Sequence, residues 1–336
     1  MQKKTIYLAV SLDVEEEGLF TGRYAQRFVS VKNTCALKKL DPLLSLGVRP
    51  TLFCAHSVLS DPRSCDELTR LKDVFACEIA AHLHYWNTPP LPDQSATELT
   101  SVPASNLTPQ LFSAKLASVL EAAKNLQAEP LTSFRMGRWD MHHAFWPLLA
   151  KAGITCDASV RPLHGACHTD SRPDHFAAPQ GAYFIQTPYG SIFEVPLTVT
   201  PILSVLPKLL APMRKGEGIL GGLARYLAST TNYWGALALL PVYHPLWAMQ
   251  LITQLYISRG GNLVSLTWHS SEMQASATPH LPTQAHIEAL LLKVQRYVSW
   301  LMQHYDVNAL PLHEIRNALG PQAPIMQSHE DWAYSS

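Results

Sequence analysis

Ile6-Tyr7-Leu8-Ala9-Val10-Ser11-Leu12-Asp13-Val14-Glu15 is an apolar run that ends in acid. Two later segments repeat the pattern. Glu78-Ile79-Ala80-Ala81 runs into His82-Leu83-His84, and Leu263-Val264-Ser265-Leu266-Thr267-Trp268 runs into His269. Short continuous apolar runs fit strands buried on both faces, as in a parallel sheet. In barrels of parallel strands, residues just past the strand ends converge on one face, where chemistry is done. Three distant segments would then deliver Asp, Glu and His to one point, which is the arrangement of a metal hydrolase.

Reading outward from these runs predicts seven strands, at Ile6–Leu12, Pro50–Cys54, Glu78–Leu83, Ser133–Arg135, Thr155–Asp157, Phe193–Leu197 and Asn262–Trp268. Helix signals lie between them. Asp61-Pro62 and Thr108-Pro109 each supply an N-cap and a first-turn proline, the second before a helix over Leu111–Leu126. Asp140 is placed to cap Met141–Lys151, and a helix from about Thr34 to Leu46 would stop at Gly47. Alternation of this kind predicts an α/β fold with a parallel sheet, and seven strands suggest an incomplete barrel.

The 336 residues suit one large barrel domain or two smaller ones. A hydrophobic fraction of 47% against 15% charged residues excludes a disordered chain. Lys+Arg and Asp+Glu are 26 each, so charge does not point to nucleic acid or to an anionic membrane. The six cysteines, Cys35, Cys54, Cys65, Cys77, Cys156 and Cys167, form no CxxC pair and read as reduced thiols. The N-terminal apolar run meets Asp13 and a Glu triplet at once, so it reads as a first strand of a cytoplasmic protein and not as a signal peptide. The sequon Asn106-Leu107-Thr108 carries no weight in that compartment.

Residues 201–256 differ from the rest. They are apolar with a helical period but are broken by Pro, Gly and charge, which argues against a membrane span. They read as a helical insertion packing on the barrel, with a lid or a peripheral membrane contact as alternatives. The tail, 321–336, is polar and aromatic and is expected to be loosely held.

Asp13 and Glu15 stand two apart on an extended segment, so both project from one face, and His82 and His84 share that spacing. Two imidazoles and a carboxylate can grip one metal and leave positions open for water and substrate. Arg135, ending the fourth strand, is placed to hold a carboxylate ionised. His269 closes the seventh strand and is a candidate for proton transfer. No G-x-S-x-G, G-x-x-x-x-G-K-[ST] or G-x-G-x-x-G string occurs, so nucleophile-elbow, P-loop and dinucleotide chemistry lose support.

The order of these motifs resembles the NodB-type polysaccharide deacetylases, over roughly residues 5 to 300. Ser11-Leu12-Asp13-Val14-Glu15 is similar to that family's T-F-D-D-G, and Pro50-Thr51-Leu52-Phe53 to its A-T-F-F strand. Glu78 to His82 resembles the second motif, E-I-x-x-H. Phe134-Arg135 to Arg138 resembles the third, Asp157 stands at the fourth, and Leu266-Thr267-Trp268-His269 is similar to the fifth with one residue of shift. The strings H-L-H-x-W-N-T-P-P and H-S-S-E resemble a subgroup associated with cell-surface polysaccharide and lipopolysaccharide gene clusters. The family's usual second ligand lies four residues past the first, where this chain has Trp86, so His84 must take that place. Val14 replaces the adjacent Asp and leaves Glu15 as the carboxylate ligand.

The resemblance implies a distorted (β/α)7 barrel of the glycoside hydrolase/deacetylase type, spanning 1–320. It implies hydrolysis of an N-acetyl group on a sugar of a polysaccharide, a lipopolysaccharide or its precursor, with a carbohydrate, lipid-linked or free, as the partner and no nucleic acid. Glu15, His82 and His84 would bind a divalent metal, zinc first, with cobalt, nickel, manganese or iron as alternatives. Asp13 would be the base, Arg135 would fix Asp13, and His269 would be the acid, with Asp157 holding its charge. Trp86, Trp139 and Trp268 are candidates for stacking on sugar faces. Two other readings stay open: a related hydrolase of non-peptide C–N bonds, and a catalytically silent sugar-binding or scaffold protein.

Overall fold

The computed structural model describes residues 3–92, 98–102, 104, 107–165, 173–328 and 332. Cys167, the Asn106 of the sequon and most of the last eight residues lie outside these. Seven parallel strands form the frame: β1 (Thr5–Val14), β2 (Thr51–Ala55), β3 (Glu78–Leu83), β4 (Ser133–Met136), β5 (Cys156–Asp157), β6 (Gly190–Glu194) and β7 (Leu263–His269). Their order in the sheet is β7-β1-β2-β3-β4-β5-β6, each parallel to its neighbour. Tyr183–Thr187 pairs antiparallel with β6, and Ile325–Met326 extends that edge.

Among the described residues no ladder joins the two ends of the sheet. The gap is bridged instead by Thr198, whose N–H donates to the Ser265 carbonyl at 3.2 Å and whose Oγ1 accepts from the Ser265 N–H at 2.8 Å. A side chain thus completes what a strand pair would, and the barrel is the distorted one expected.

Alternation along β1 sorts residues between two cores. Leu8, Val10, Leu12 and Val14 face a layer of helices, whereas Ala9, Ser11 and Asp13 face the barrel interior. Ala9, Phe53, Ala80, Cys156, Phe193 and Leu263 fill that interior, which the helix Leu312–Leu319 plugs at the bottom. Thr51 caps this plug by accepting from the Leu312 N–H at 3.0 Å and donates to Glu78 at 2.8 Å. Polar groups below are therefore satisfied, and the open end above is left to the acids and imidazoles.

Several element boundaries move for local reasons. The helix expected over 34–46 is a tight 3₁₀ run, Lys32–Leu40, followed by an α-turn Asp41–Leu44, because Pro42 lacks the N–H a continuous helix needs. Asp140 caps no α-helix; the helix there starts later, at Trp146, after a 3₁₀ turn His143–Phe145. Asp61 and Thr108 cap as expected, accepting from Ser64 N at 2.8 Å and Leu111 N at 3.2 Å. The sixth strand ends at Glu194 and not at Leu197, since Pro196 cannot donate to a ladder. Within 201–256, a two-stranded ladder (Val199–Pro201 with Ala236–Ala238) brackets two helices, Leu206–Lys215 and Gly218–Ala228. The helix Leu246–Ser258, by contrast, buries Met249, Ile252 and Tyr256 in the main core. Part of the tail is also tied in, through Ile325–Met326 and the buried Trp332, which packs against Trp146 and Tyr183.

Candidate active site

The register of the sheet brings the predicted residues to one end. Asp13 lies beside His269, and His82 lies beside Arg135. Glu15 lies one residue past the end of β1, and its N–H is held by Ser270 Oγ at 3.2 Å while Asn33 holds its carbonyl at 2.9 Å. Asp13, Glu15, His82, His84 and Arg135 are all buried.

His82 Nε2, His84 Nε2 and Glu15 Oε2 form a triangle with edges of 3.0, 3.4 and 3.2 Å. Tetrahedral coordination at about 2.0–2.1 Å places ligand atoms roughly 3.3 Å apart, so the triangle has the right size. Tautomers make the same point. His82 Nδ1 donates to the Arg135 carbonyl at 3.0 Å, and His84 Nδ1 donates to Glu16 Oε1 at 2.8 Å. When both rings are neutral, each presents an Nε2 lone pair to the other, and either a proton on His84 or a metal cation between the rings relieves that arrangement. The donor set therefore fits a divalent metal (Glu15, His82, His84).

Glu16 stands in the sequence only as one of a Glu triplet, yet it orients the His84 ring. It accepts from His84, Asn87 and Ser57, and such carboxylate–imidazole pairs fix ring orientation and raise basicity. Gly137 matters for a different reason. A Cβ there would lie 2.3 Å from His84 Cδ2 and 2.8 Å from the Leu83 carbonyl, so only glycine lets β4 pass beneath the ring. The next two residues, Arg138 and Trp139, both have positive φ, 60° and 62°, a strained pair at the site rim.

Arg135 is fully used. Its Nη1 donates to Asp13 Oδ1 at 2.6 Å and to Thr267 at 2.9 Å, Nη2 to Ser11 at 2.8 Å, and Nε to the Ala158 carbonyl at 2.9 Å. Phe53 and Trp139 sandwich the guanidinium, 4.1 and 4.6 Å from its centre. This leaves Asp13 Oδ2 unengaged by Arg135, 4.0 Å from His82 Nε2 and 3.8 Å from His269 Nε2.

His269 is held by Glu272, which accepts from its Nδ1 at 2.8 Å and from its backbone N–H at 2.9 Å. Asp157, expected to do this, does not. Its oxygens accept from Trp146 Nε1 at 2.7 Å and from Ser159, and it sits beside Glu194 in register. Burial first, and the neighbouring acid in the case of Glu194, push both carboxyls upward, and the pair belongs to the buried barrel wall and not to His269. Trp268 needs a second correction. Thr267 and His269 face the site, so alternation sends Trp268 outward, where it is buried among the helices and cannot touch substrate.

Charge at the site is tightly balanced. Burial lowers the proton affinity of His269, but Glu272, Glu15 and Asp13 outweigh it and hold the ring up at about 10. Burial is likewise overcome at His84, where Glu16 and Glu15 raise it to about 10. Glu15 is held well below the usual carboxylate range, since His269, His82 and His84 outweigh its burial.

Above these groups is a cavity of about 280 Å³. Trp86 and Trp139 line it, as expected, with Tyr24, Phe20, Tyr243 and Arg161. Trp86 stacks on His84 with centroids 4.2 Å apart, and Phe20 meets His269 edge-on at 5.1 Å. The sequence offered no period or motif that singles out Tyr24, Phe20 or Tyr243.

No protein-family model matches the chain, and no curated protein sequence matches it. Solved structures do. One is a Mycobacterium smegmatis protein assigned as a polysaccharide deacetylase: 14% identity, TM-score 0.55, over 97% of this chain and 94% of that one. Another is a Parabacteroides distasonis protein assigned as a glycoside hydrolase/deacetylase: 11% identity, TM-score 0.56, over 98% and 73% of the two chains. The PuuE allantoinase is also similar, at 12% identity and TM-score 0.52, over 94% and 91%. The chain thus has the (β/α) barrel fold of the glycoside hydrolase/deacetylase type.

Proposed function

We propose that this protein is a metal-dependent hydrolase that removes an acetyl group from the nitrogen of a sugar, releasing acetate and leaving a free amine. The observation that carries the reading is the convergence of two imidazoles and a carboxylate beside a second, arginine-held carboxylate, with a carboxylate-held imidazole facing it across the cavity. Sugars of a polysaccharide, a lipopolysaccharide or its precursor suit an aromatic-lined cavity. Residues 1–320 read as one catalytic domain, and the five cysteines that are free among the described residues suit a cytoplasmic setting.

A divalent metal held by Glu15, His82 and His84, zinc by its tetrahedral preference, supplies Lewis-acid activation of water and of the amide carbonyl. Asp13 takes the proton of the attacking water at Oδ2, because Oδ1 is committed to Arg135. Arg135 donates to Oδ1 and fixes the plane of that carboxylate. His269 donates from Nε2 to the leaving nitrogen, since Glu272 retains the proton on Nδ1. Tyr24, Trp86 and Trp139 flank the sugar.

The test is metal content of the purified protein and of a His82→Ala/His84→Ala double variant, followed by acetate release from N-acetylglucosamine oligomers. Near-stoichiometric metal lost in the variant, with acetate release in the wild type only, is expected. Absence of metal from both after incubation with zinc or cobalt would sink the mechanism.

A further inference from the structure

The helix Gly218–Ala228 is built inside out. Gly221, Ala224 and Ala228 are its buried residues, while Ile219 is 90% and Leu220 68% exposed and Leu223 and Tyr226 are also exposed. The preceding helix, Leu206–Lys215, buries Pro207, Leu210 and Ala211 and exposes Leu209 and Met213. This orientation is fixed by packing. A Cβ at Gly221 would lie 1.9 Å from the Gly216 carbonyl, so the second helix meets the turn below it through a face that has room only for hydrogen. Rotating it to hide Ile219 and Leu223 would drive branched side chains into that space.

Charge says what covers the face. Between Pro201 and Tyr256 stand Lys208, Arg214, Lys215 and Arg225 against the single acid Glu217, in a chain whose net charge is zero. Arg214 pairs with Asp174, and Arg225 donates to the carbonyls of Arg214 and Gly216. Lys208 and Lys215 are exposed and have no acidic partner among the described residues. A two-fold contact with a second copy would set this positive patch against itself. A surface of anionic lipid takes both the lysines and the apolar face. Helices of 10 and 11 residues reach only about 15 Å, too short to cross a bilayer, so they would lie along it.

The same segment continues into Leu240, Val242 and Tyr243, which wall the catalytic cavity, and Tyr243 is half exposed. We propose that the helical pair 206–228 seats the protein on an anionic lipid bilayer and that the sugar entering the cavity is carried by a membrane lipid. The second half of this rests on the deacetylase reading.

The membrane seat is tested by flotation with vesicles of phosphatidylcholine, alone or mixed with phosphatidylglycerol. The wild type should float with the mixed vesicles and less at high salt. An Ile219→Glu/Leu223→Glu variant should lose about tenfold or more of that binding, with unchanged circular dichroism because both residues are exposed. A Lys208→Glu/Lys215→Glu variant should lose the preference for the anionic vesicles. A wild type that floats with neither vesicle overturns the seat. So does a wild-type dimer that Ile219→Glu/Leu223→Glu dissociates without any vesicle binding. Acetate release from an N-acetylglucosaminyl lipid in these vesicles should fall about tenfold in the apolar-face variant, with release from free oligomers unchanged. Equal loss on both substrates, or on neither, overturns the lipid-borne substrate. Absence of wild-type turnover on either would overturn it together with the deacetylase reading, and flotation would still decide the seat.

Discussion

Arg135 shows how much one side chain carries here. Among the described residues its buried charge has a single acidic partner, Asp13, and its donors satisfy Ser11, Thr267 and the Ala158 carbonyl. Breaking a buried pair leaves an uncompensated charge, which costs about 3–5 kcal/mol. Arg135→Met should therefore lower stability by roughly that amount in urea unfolding, because Asp13 then lacks its counter-charge. A stability change within experimental error would mean that the Arg135–Asp13 pair contributes nothing net to the fold. Asp13→Asn is the complementary change. It keeps the shape and removes the base, so kcat should fall by about 10²–10⁴ while metal content is retained. Loss of metal in parallel would instead make Asp13 a ligand. Glu272 is argued through His269. With burial opposing, Glu272 is the largest influence raising that ring to about 10. In Glu272→Gln the protonated acid is lost at lower pH, so the alkaline limb of kcat should move down by about 1–3 pH units. An unmoved limb, with merely reduced kcat, would leave Glu272 a structural cap.

At the scale of elements, the site is assembled from strand ends, and its most exacting fit is between β4 and the His82-x-His84 segment. Gly137→Ala should push the His84 ring off its place and weaken metal binding by about tenfold or more, read by competition with a chromogenic chelator. Unaltered affinity would show that the Leu83–His84 backbone can yield. Much of this was legible in the sequence. Apolar runs ending in Asp13, His82, Arg135 and His269 located the strands and the ends that form the candidate site, because burial on both faces leaves few polar residues to confuse the pattern. The outward turn of Trp268 could have been read from two-residue alternation, because a His269 that faces the site sends the residue before it to the other side of the strand. Glu16 and Glu272 were harder, since a carboxylate that orients a histidine is recognised only by where it lies in space. Asp157 misled for the converse reason. It ends a strand as the ligands do, but its neighbour in register is Glu194 and its donors are Trp146 and Ser159. The inside-out helix 218–228 carries an ordinary apolar period, and only its packing reveals which face is outward.

For the whole molecule, the site is a reservoir of pH-dependent stability whose sign changes when metal binds. In the metal-free protein His84 and His269 have proton affinities raised to about 10. A raised group contributes fully below its unfolded value, about 6.5, and the contribution fades as pH climbs toward 10. Glu15 and Glu16 are lowered, so their contribution is present above about 4.5 and is lost as pH falls. The metal-free form should thus be most stable between about pH 4.5 and 6.5 and weaken steadily on the alkaline side. Metal binding demands the opposite state of His84, because Nε2 must give up its proton to become a ligand. Apparent metal affinity should then tighten about tenfold for each pH unit of rise up to about 10, as that proton becomes easier to displace. Since a ligand at about a hundred times its Kd adds about 2.7 kcal/mol, the loaded protein should melt about 4 °C above the metal-free one where that ratio holds. The gap should widen from pH 6 to pH 9, the metal-free Tm falling while the loaded Tm holds. Scanning calorimetry of chelator-treated and zinc-loaded protein across that range reads both curves. A gap that stays constant with pH would mean that His84 binds no metal, whatever occupies Glu15 and His82.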